Sequence, residues 1–445
     1  MGSIISQRAA SKTVLPKLFS PRLIESMPKS AKLSLLAISV ASLVALFLGV
    51  NWHGVHAAGD NNGQTDAYRQ INVYGEVLQH IQNDYVEVPN IPQVTRGAMR
   101  GLLESLDADS SYLTAKDYAS YKDAKTGRAQ VGINVSKRFG YATVVSVVPG
   151  SPADKANLDD GDIIEAIESK DTRDLSLATI QQMLEGQPGS ELKLAVLRPQ
   201  SAKPDPVKMN RVVVQQPPVA ETMFEDSTIE SLKPMTIDRE HVAAVEAKLK
   251  SAAKQPGKKV LLDLRDVSTG SMDEGLRLAN FFVGSGTLAT LEGQTVAKQT
   301  FTADATKVID TKSPLVVLVN RGTAGPAELV AAAIAGNKRG DLVGERTFGE
   351  GAQTKTFVLP DGSALILSVA KYAAPDGKKF EDDGVTPATL VASTFADDLD
   401  VSGAAAAIPT GSNVKDKKPV TAPAPTPAKQ DDQLNKGLEM LKSRN

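Results

Sequence analysis

The amino-acid sequence predicts a multidomain α/β protein with N-terminal helices, a small β-sandwich-like module, an α/β core with a mostly parallel sheet, and a disordered C-terminal tail. Three observations carry that prediction. Apolar residues recur at helical spacing over 65–106, short strand-like runs punctuated by turns fill 127–200, and apolar strands alternate with helical stretches from 239 onward. At 445 residues the chain is long enough for two or three domains plus tails. A net charge of −2 provides no basic field to attract nucleic acid. The absence of cysteine excludes disulfides, thiolate nucleophiles and cysteine-ligated metals. The four histidines are His53, His56, His80 and His241, and none lies near a nucleophile-like motif. No cofactor or metal is expected.

At the N-terminus, residues 33–50 form an uncharged run preceded by Arg8, Lys12, Lys17, Arg22, Lys29 and Lys32 against Glu25 alone. That asymmetry holds the start of the chain in the cytoplasm and sends the rest across the membrane. Residues 1–58 thus read as a basic segment plus a signal or anchor helix, and Val55-His56-Ala57 supplies small residues for a signal peptidase. Anchor and cleaved signal both remain open, and the location is extracytoplasmic, periplasmic in a cell with two membranes.

A helical region spans 65–126. Its first helix, 65–84, carries Tyr68, Ile71, Tyr74, Leu78 and Ile81 on one face; its second, 91–106, repeats Val94, Ala98, Leu102 and Leu106. Asp107 and Asp109 follow and read as turn chemistry.

Strands are expected at 132–135, 143–148, 162–167 and 192–197, with a helix at 177–185. With the turn Pro149-Gly-Ser-Pro-Ala153 and the pair Gly161-Asp162, the stretch 127–200 resembles a PDZ domain. That resemblance implies that Gly132, Ile133, Asn134 and Val135 form an edge which accepts the C-terminal strand of another protein. Asn157 stands where such domains usually carry glycine, and asparagine tolerates the left-handed turn.

Residues 211–238 read as connective. The core, 211–395, then runs through a helix at 239–253, a strand at 260–264, a helix at 272–282, a strand at 315–319, a helix at 327–335 and a β-hairpin around Asp361-Gly362. Past 400 the composition turns to Ala, Pro, Thr, Lys and Asp; 400–430 is expected to be disordered, with a short amphipathic helix at 432–444 through Leu434, Leu438 and Leu441.

Two segments of the core carry the functional reading. Asn320-Arg-Gly-Thr-Ala-Gly-Pro-Ala-Glu-Leu-Val330 and Gly344-Glu-Arg-Thr-Phe-Gly-Glu-Gly351 resemble the active-site segments of the carboxy-terminal processing (tail-specific) peptidases. The resemblance extends over 65–395. It implies a serine nucleophile at the position of Gly325 and a lysine base at that of Glu350. Neither residue type is present, and Pro326 removes a backbone donor beside the first. Asp263-Leu-Arg-Asp-Val-Ser-Thr-Gly270 resembles the family's Gly-Gly turn, which contributes to the oxyanion hole, but here the pair is Thr269 and Gly270. The family's further polar residue, a glutamine, falls on Thr354, with Gln353 one position early. Glu350 reads as a solvated carboxylate or one paired with Arg346 or Lys355.

The sequence therefore predicts a protein of this serine-type peptidase family that binds C-terminal peptides of envelope proteins and is proteolytically impaired or inactive. One alternative is an active endopeptidase with a rearranged nucleophile, for which Thr323 is the substitute. Another is a non-catalytic envelope scaffold. A homo-oligomer, an active relative and the membrane are the remaining expected partners.

Overall fold

The computed structural model describes residues 62–123, 129–199, 201–393 and 431–444. The apolar run 33–50 and the segment 400–430 lie outside them, and no described helix is long and apolar enough to cross a membrane.

The chain falls into two compact units, residues 1–91 and 92–445. The described part of the first holds helix α1 (Asn62–Asp84), on which Tyr68 and Ile71 are exposed. Helix α2 (Ile91–Glu104) leads into the second unit, where strand β1 (Ser111–Leu113) and helix α3 (Ala115–Lys122) follow.

The module expected at 127–200 is a twisted sheet with one long helix. Strands β2 (Ile133–Arg138), β3 (Tyr141–Val147), β4 (Ile163–Ile167), β5 (Lys170–Asp171), β6 (Glu191–Leu197) and β7 (Asp205–Asn210) are joined by helices α4 (Pro152–Lys155) and α5 (Leu177–Leu184). The sheet order is β2-β3-β4-β6-β7, so β2 lies at an edge. Ser151 and Ser176 cap the two helices by accepting from Asp154 N and Thr179 N, which satisfies donors that the first turn leaves free. Val135, Val144, Ile164, Ile180 and Leu192 form the core of the module. Asn157 adopts φ +56°, the left-handed turn expected of it. The module extends beyond residue 200, because β7 pairs with β6 along its whole length. Its sequence, Asp-Pro-Val-Lys-Met-Asn, alternates covered and exposed residues but offers only Val207 and Met209 as apolar residues on the covered side, too short a pattern to announce a strand.

The stretch 211–238, expected to be connective, holds β8 (Ala220–Phe224) and β9 (Ile229–Lys233). β9 is an inner strand, paired with β8 on one side and parallel to β10 on the other. It escapes a reading by hydrophobicity because Glu230 and Ser231 are among its buried residues.

Beyond it come α6 (Arg239–Ala252), β10 (Lys259–Asp263), α7 (Met272–Asn280), β11 (Thr287–Glu292), β12 (Gln299–Thr302), β13 (Leu315–Val319), α8 (Pro326–Gly336), β14 (Asp341–Gly344), β15 (Ala352–Val358), β16 (Ala364–Ala373), β17 (Thr389–Leu390) and α9 (Asp432–Lys442). A six-stranded sheet of order β17-β14-β13-β10-β9-β8 is parallel except at its β8 edge. Both faces of such a sheet must be covered. On one, α6, α7 and α8 close over Val260, Leu262, Val317 and Val319. On the other, Leu261, Val316 and Leu318 meet Leu438 and Leu441 of α9.

The short amphipathic helix expected at 432–444 is therefore present and docked on the core. A Cβ on Gly437 would lie 3.0 Å from both Leu261 and Leu318, so this residue sets the close approach. Asp431 caps the helix and receives Arg265 Nη1 at 2.8 and 2.9 Å, while Lys259 holds the carbonyl of Leu441 at 2.9 Å.

A second, antiparallel sheet joins β1, β16, β11 and β12, with β15 on β16. The expected hairpin is β15–β16, and its register shifts between Gln353 and Thr354.

Candidate functional site

β13, buried along its whole length, delivers the chain to a turn at the C-terminal end of the parallel sheet. Asn320 shapes that turn: its Oδ1 accepts from Asp266 N at 3.0 Å and Gly322 N at 3.1 Å. Thr323 is fully buried; its hydroxyl donates to Leu264 O at 2.8 Å and accepts from Asn320 N at 3.0 Å. Gly325 follows with φ +56° and ψ −119°, a conformation that glycine reaches without steric cost. Pro326 then starts α8.

A Cβ placed on Gly325 would find Glu350 Oε2 at 3.8 Å and the carbonyl oxygens of Glu350 and Ser268 at 4.0 Å. There is room for a side chain. Those three nearest neighbours are oxygens, and the two carbonyls among them accept hydrogen bonds but donate none. The next residue, proline, has no N–H to offer.

Glu328 ties this turn to the segment carrying Glu350. It is completely buried and accepts from Gly325 N at 3.0 Å, Gly349 N at 2.7 Å, Glu350 N at 2.7 Å and the Thr347 hydroxyl. Burial pushes its carboxyl up to about 7, against the lowering effect of those donors.

Glu350 points into a crowd of acids. Burial first, then the charges of Asp109, Glu328 and Glu381, push it up to about 8. Its Oε2 is closed off from solvent and has no hydrogen-bond partner. The pairing expected with Arg346 or Lys355 does not form: Arg346 is exposed, and the Lys355 amine lies 5.3 Å from the ring centre of Phe357. Glu381 is raised to about 8 by burial and by Asp109; Asp109 is raised to about 6 by burial and by Asp107. Asp107 does turn work, accepting from Ser110 N at 2.7 Å and from the Ser368 hydroxyl at 3.1 Å.

The turn containing Thr269 and Gly270 is held against residues 236–237. Thr269 O accepts from Ile237 N at 2.8 Å, and its hydroxyl donates to Thr236 Oγ1 at 3.0 Å. Gly270 has φ +129°, and any Cβ would collide with Ile237 O at 2.2 Å. Gln353 is exposed, and the β-bulge beside it does not place it in the site. His241 is engaged by Asp238 at 2.8 Å and Pro217 O at 3.0 Å.

The edge strand β2 and α5 line a groove of about 500 Å³ that includes Gly132, Ile133, Asn134, Val135, Gln181 and Leu184. Gly132 has φ +85° and a Cβ there would meet Ser151, so this end of the groove requires glycine. The amide of Asn134 is directed at the core: its Nδ2 donates to Ser268 Oγ at 2.9 Å, and Ser146 Oγ lies 2.5 Å from the same hydroxyl. At the other end of β2, Arg138 donates to Phe348 O and stacks 4.1 Å from the centre of the Phe348 ring. Both contacts land on the turns that flank Gly325 and Glu350. The acid group of Asp109, Glu328 and Glu381 leaves no local pattern in the sequence, because its members are spread along the chain from 109 to 381.

Residues 231–391 match the family model described as Peptidase family S41, and residues 143–198 that of a PDZ domain. The chain is 30% identical over 300 residues to a carboxyl-terminal-processing protease of Picosynechococcus sp., covering 66% of this chain and 72% of that one. It is 28% identical over 339 residues to a carboxy-terminal-processing protease of Bartonella bacilliformis, covering 74% and 77%. With carboxyl-terminal-processing peptidase 2, chloroplastic, of Arabidopsis thaliana it shares 29% over 329 residues, and spans 63% of that relative's length. The solved structure of a photosystem II D1 C-terminal processing protease superposes with a TM-score of 0.61 at 25% identity, covering 72% of this chain and 92% of that chain.

Proposed function

Because this chain belongs to the carboxyl-terminal-processing protease family, we propose that it is an exported member which captures protein C-termini in its PDZ groove and has lost the capacity to cleave them. The observation that carries this reading is that Gly325 presents no side chain where the nucleophile would stand, and the group nearest that place is the carboxyl of Glu350. A serine peptidase needs a hydroxyl, a base and at least one donor aimed at the developing oxyanion. Here the hydroxyl is absent, the base position holds an acid whose carboxyl is raised to about 8, and Pro326 withdraws an amide. Loss of nucleophile and base together removes about 10⁶-fold of rate in serine peptidases. Thr323 offers no replacement, because its hydroxyl is buried and doubly engaged.

The groove supports retained binding. Its edge strand has a free side, and the positive φ at Gly132 opens the backbone at the end where a terminal carboxylate docks in such domains. Export, with the 33–50 run as anchor or leader, rests on the basic flank that precedes it.

Two measurements test the reading. A fluorophosphonate probe should leave the protein unlabelled while labelling an active relative; labelling that disappears in Thr323→Ala or Ser268→Ala overturns inactivity. A peptide with a free C-terminus should bind at least tenfold tighter than its amidated copy, and equal affinities remove the groove from the proposal.

A further inference from the structure

We infer that the cavity beside Glu350 is a receptor for a basic side chain, the ammonium of a lysine or the guanidinium of an arginine carried by a bound polypeptide. The inference deepens the binding reading above and rests on it.

The cavity encloses about 390 Å³, enough for a long side chain, and Asp107, Asp109, Glu350, Glu381 and Asp382 stand in its wall. The two cations in the same wall are already engaged. Lys137 Nζ donates to Glu104 Oε1 and to Leu175 O, both at 2.8 Å, and Arg138 is taken by the Phe348 carbonyl and ring.

Glu350 Oε2 supplies the independent sign of a missing ligand. It is a buried carboxyl oxygen with no hydrogen-bond partner, on a side chain that lines the cavity, and buried polar groups are ordinarily paired. With Asp107, Asp109, Glu381 and Asp382 in the same wall, the surroundings of Glu350 reject an anion and suit a donor. Among the described residues no group of acids is arranged to hold a metal ion. Acids spread around a wall of this size fit an organic cation with several N–H groups, three on lysine and five on arginine.

Protons compete for the same oxygens. Glu350 is faced by Asp109 from the loop after α2, by Glu328 from α8 and by Glu381 and Asp382 from the loop after β16. The nearby cations are Lys137 and Arg138 in the wall and Lys371 beside Glu381. With the pocket empty, Glu350 holds a proton up to about pH 8, so a cation entering below that pH must expel it. Affinity should rise about tenfold per pH unit from 6 to 8 and then level off, since lysine keeps its charge to about pH 10.

The test is a titration of the full chain with an acetylated, amidated alanine pentapeptide carrying one central lysine, against the same peptide with norleucine and against free spermidine. Capping both ends keeps the carboxylate site of the groove out of the measurement. At pH 8 the lysine peptide should bind at least tenfold tighter than the norleucine peptide, with the preference shrinking toward pH 6. Glu350→Gln should abolish both preference and pH dependence while a free-C-terminus peptide still binds the groove, which also reports that the variant is folded. Equal binding of lysine and norleucine by the unaltered protein, no gain from pH 6 to 8, or a preference that survives Glu350→Gln each overturns the inference. Spermidine binding in place of the peptide overturns its polypeptide part. Failure here with the groove still discriminating free from amidated C-termini leaves the binding reading standing; the converse pattern removes the groove alone.

Discussion

At Gly325 and Glu350 the missing chemistry invites a simple repair, and the surroundings say it should fail. Gly325→Ser with Glu350→Lys restores a hydroxyl and an amine, yet Pro326 still withholds a donor and Ser268 O still faces the new side chain. The double variant should therefore show background labelling by a fluorophosphonate, and labelling should appear only when Pro326→Ala is added. Strong labelling of the double variant would show that the amide is dispensable. A second expectation follows from the acids. Glu328, Glu350, Glu381 and Asp109 are all raised in the folded protein, so over the window from their ordinary values near 4 up to about 8 the folded state binds more protons than the unfolded one. Their contribution to stability is then fully present at the acid end and is lost as pH rises through the folded-state values. The melting temperature should drop between pH 5 and 8, and Glu350→Gln should flatten that slope; a melting temperature that climbs over the same range contradicts it. Sequence made the dyad positions legible because the motifs around them are local. It could not show Asp109 and Glu381 meeting Glu350, since three separate loops supply them.

Among the elements, α9 shows how a pattern can be read without its partner. Leu434, Leu438 and Leu441 announce an amphipathic helix, but only the bare sheet face at Leu261, Val316 and Leu318 explains what the stripe is for. Leu441 is fully buried, so Leu441→Ala should cost roughly 2–5 kcal/mol, measured by urea denaturation. Truncation before Asp431 should expose that face and promote aggregation, with light scattering as the readout. Strand β9 was illegible for the opposite reason: its interior place is set by pairing with β8 and β10, while Glu230 and Ser231 disguise it as linker.

Across the molecule, the binding module and the core are coupled through the two ends of β2, at Asn134–Ser268 and Arg138–Phe348. Occupying the groove should therefore slow amide hydrogen exchange at 347–351 as well as along β2, and Arg138→Ala should remove the distant effect while sparing the local one. Protection confined to β2 would mean the two regions move independently. The same architecture also bears on stability at one turn. A nucleophile held at φ +56° stores about 1–3 kcal/mol of backbone strain, which an active enzyme tolerates in exchange for rate. Glycine relaxes that turn completely. A chain with glycine there stands further above its unfolding threshold than one of equal packing with a side chain at that position, and so has more latitude to accept destabilising changes elsewhere on its surface.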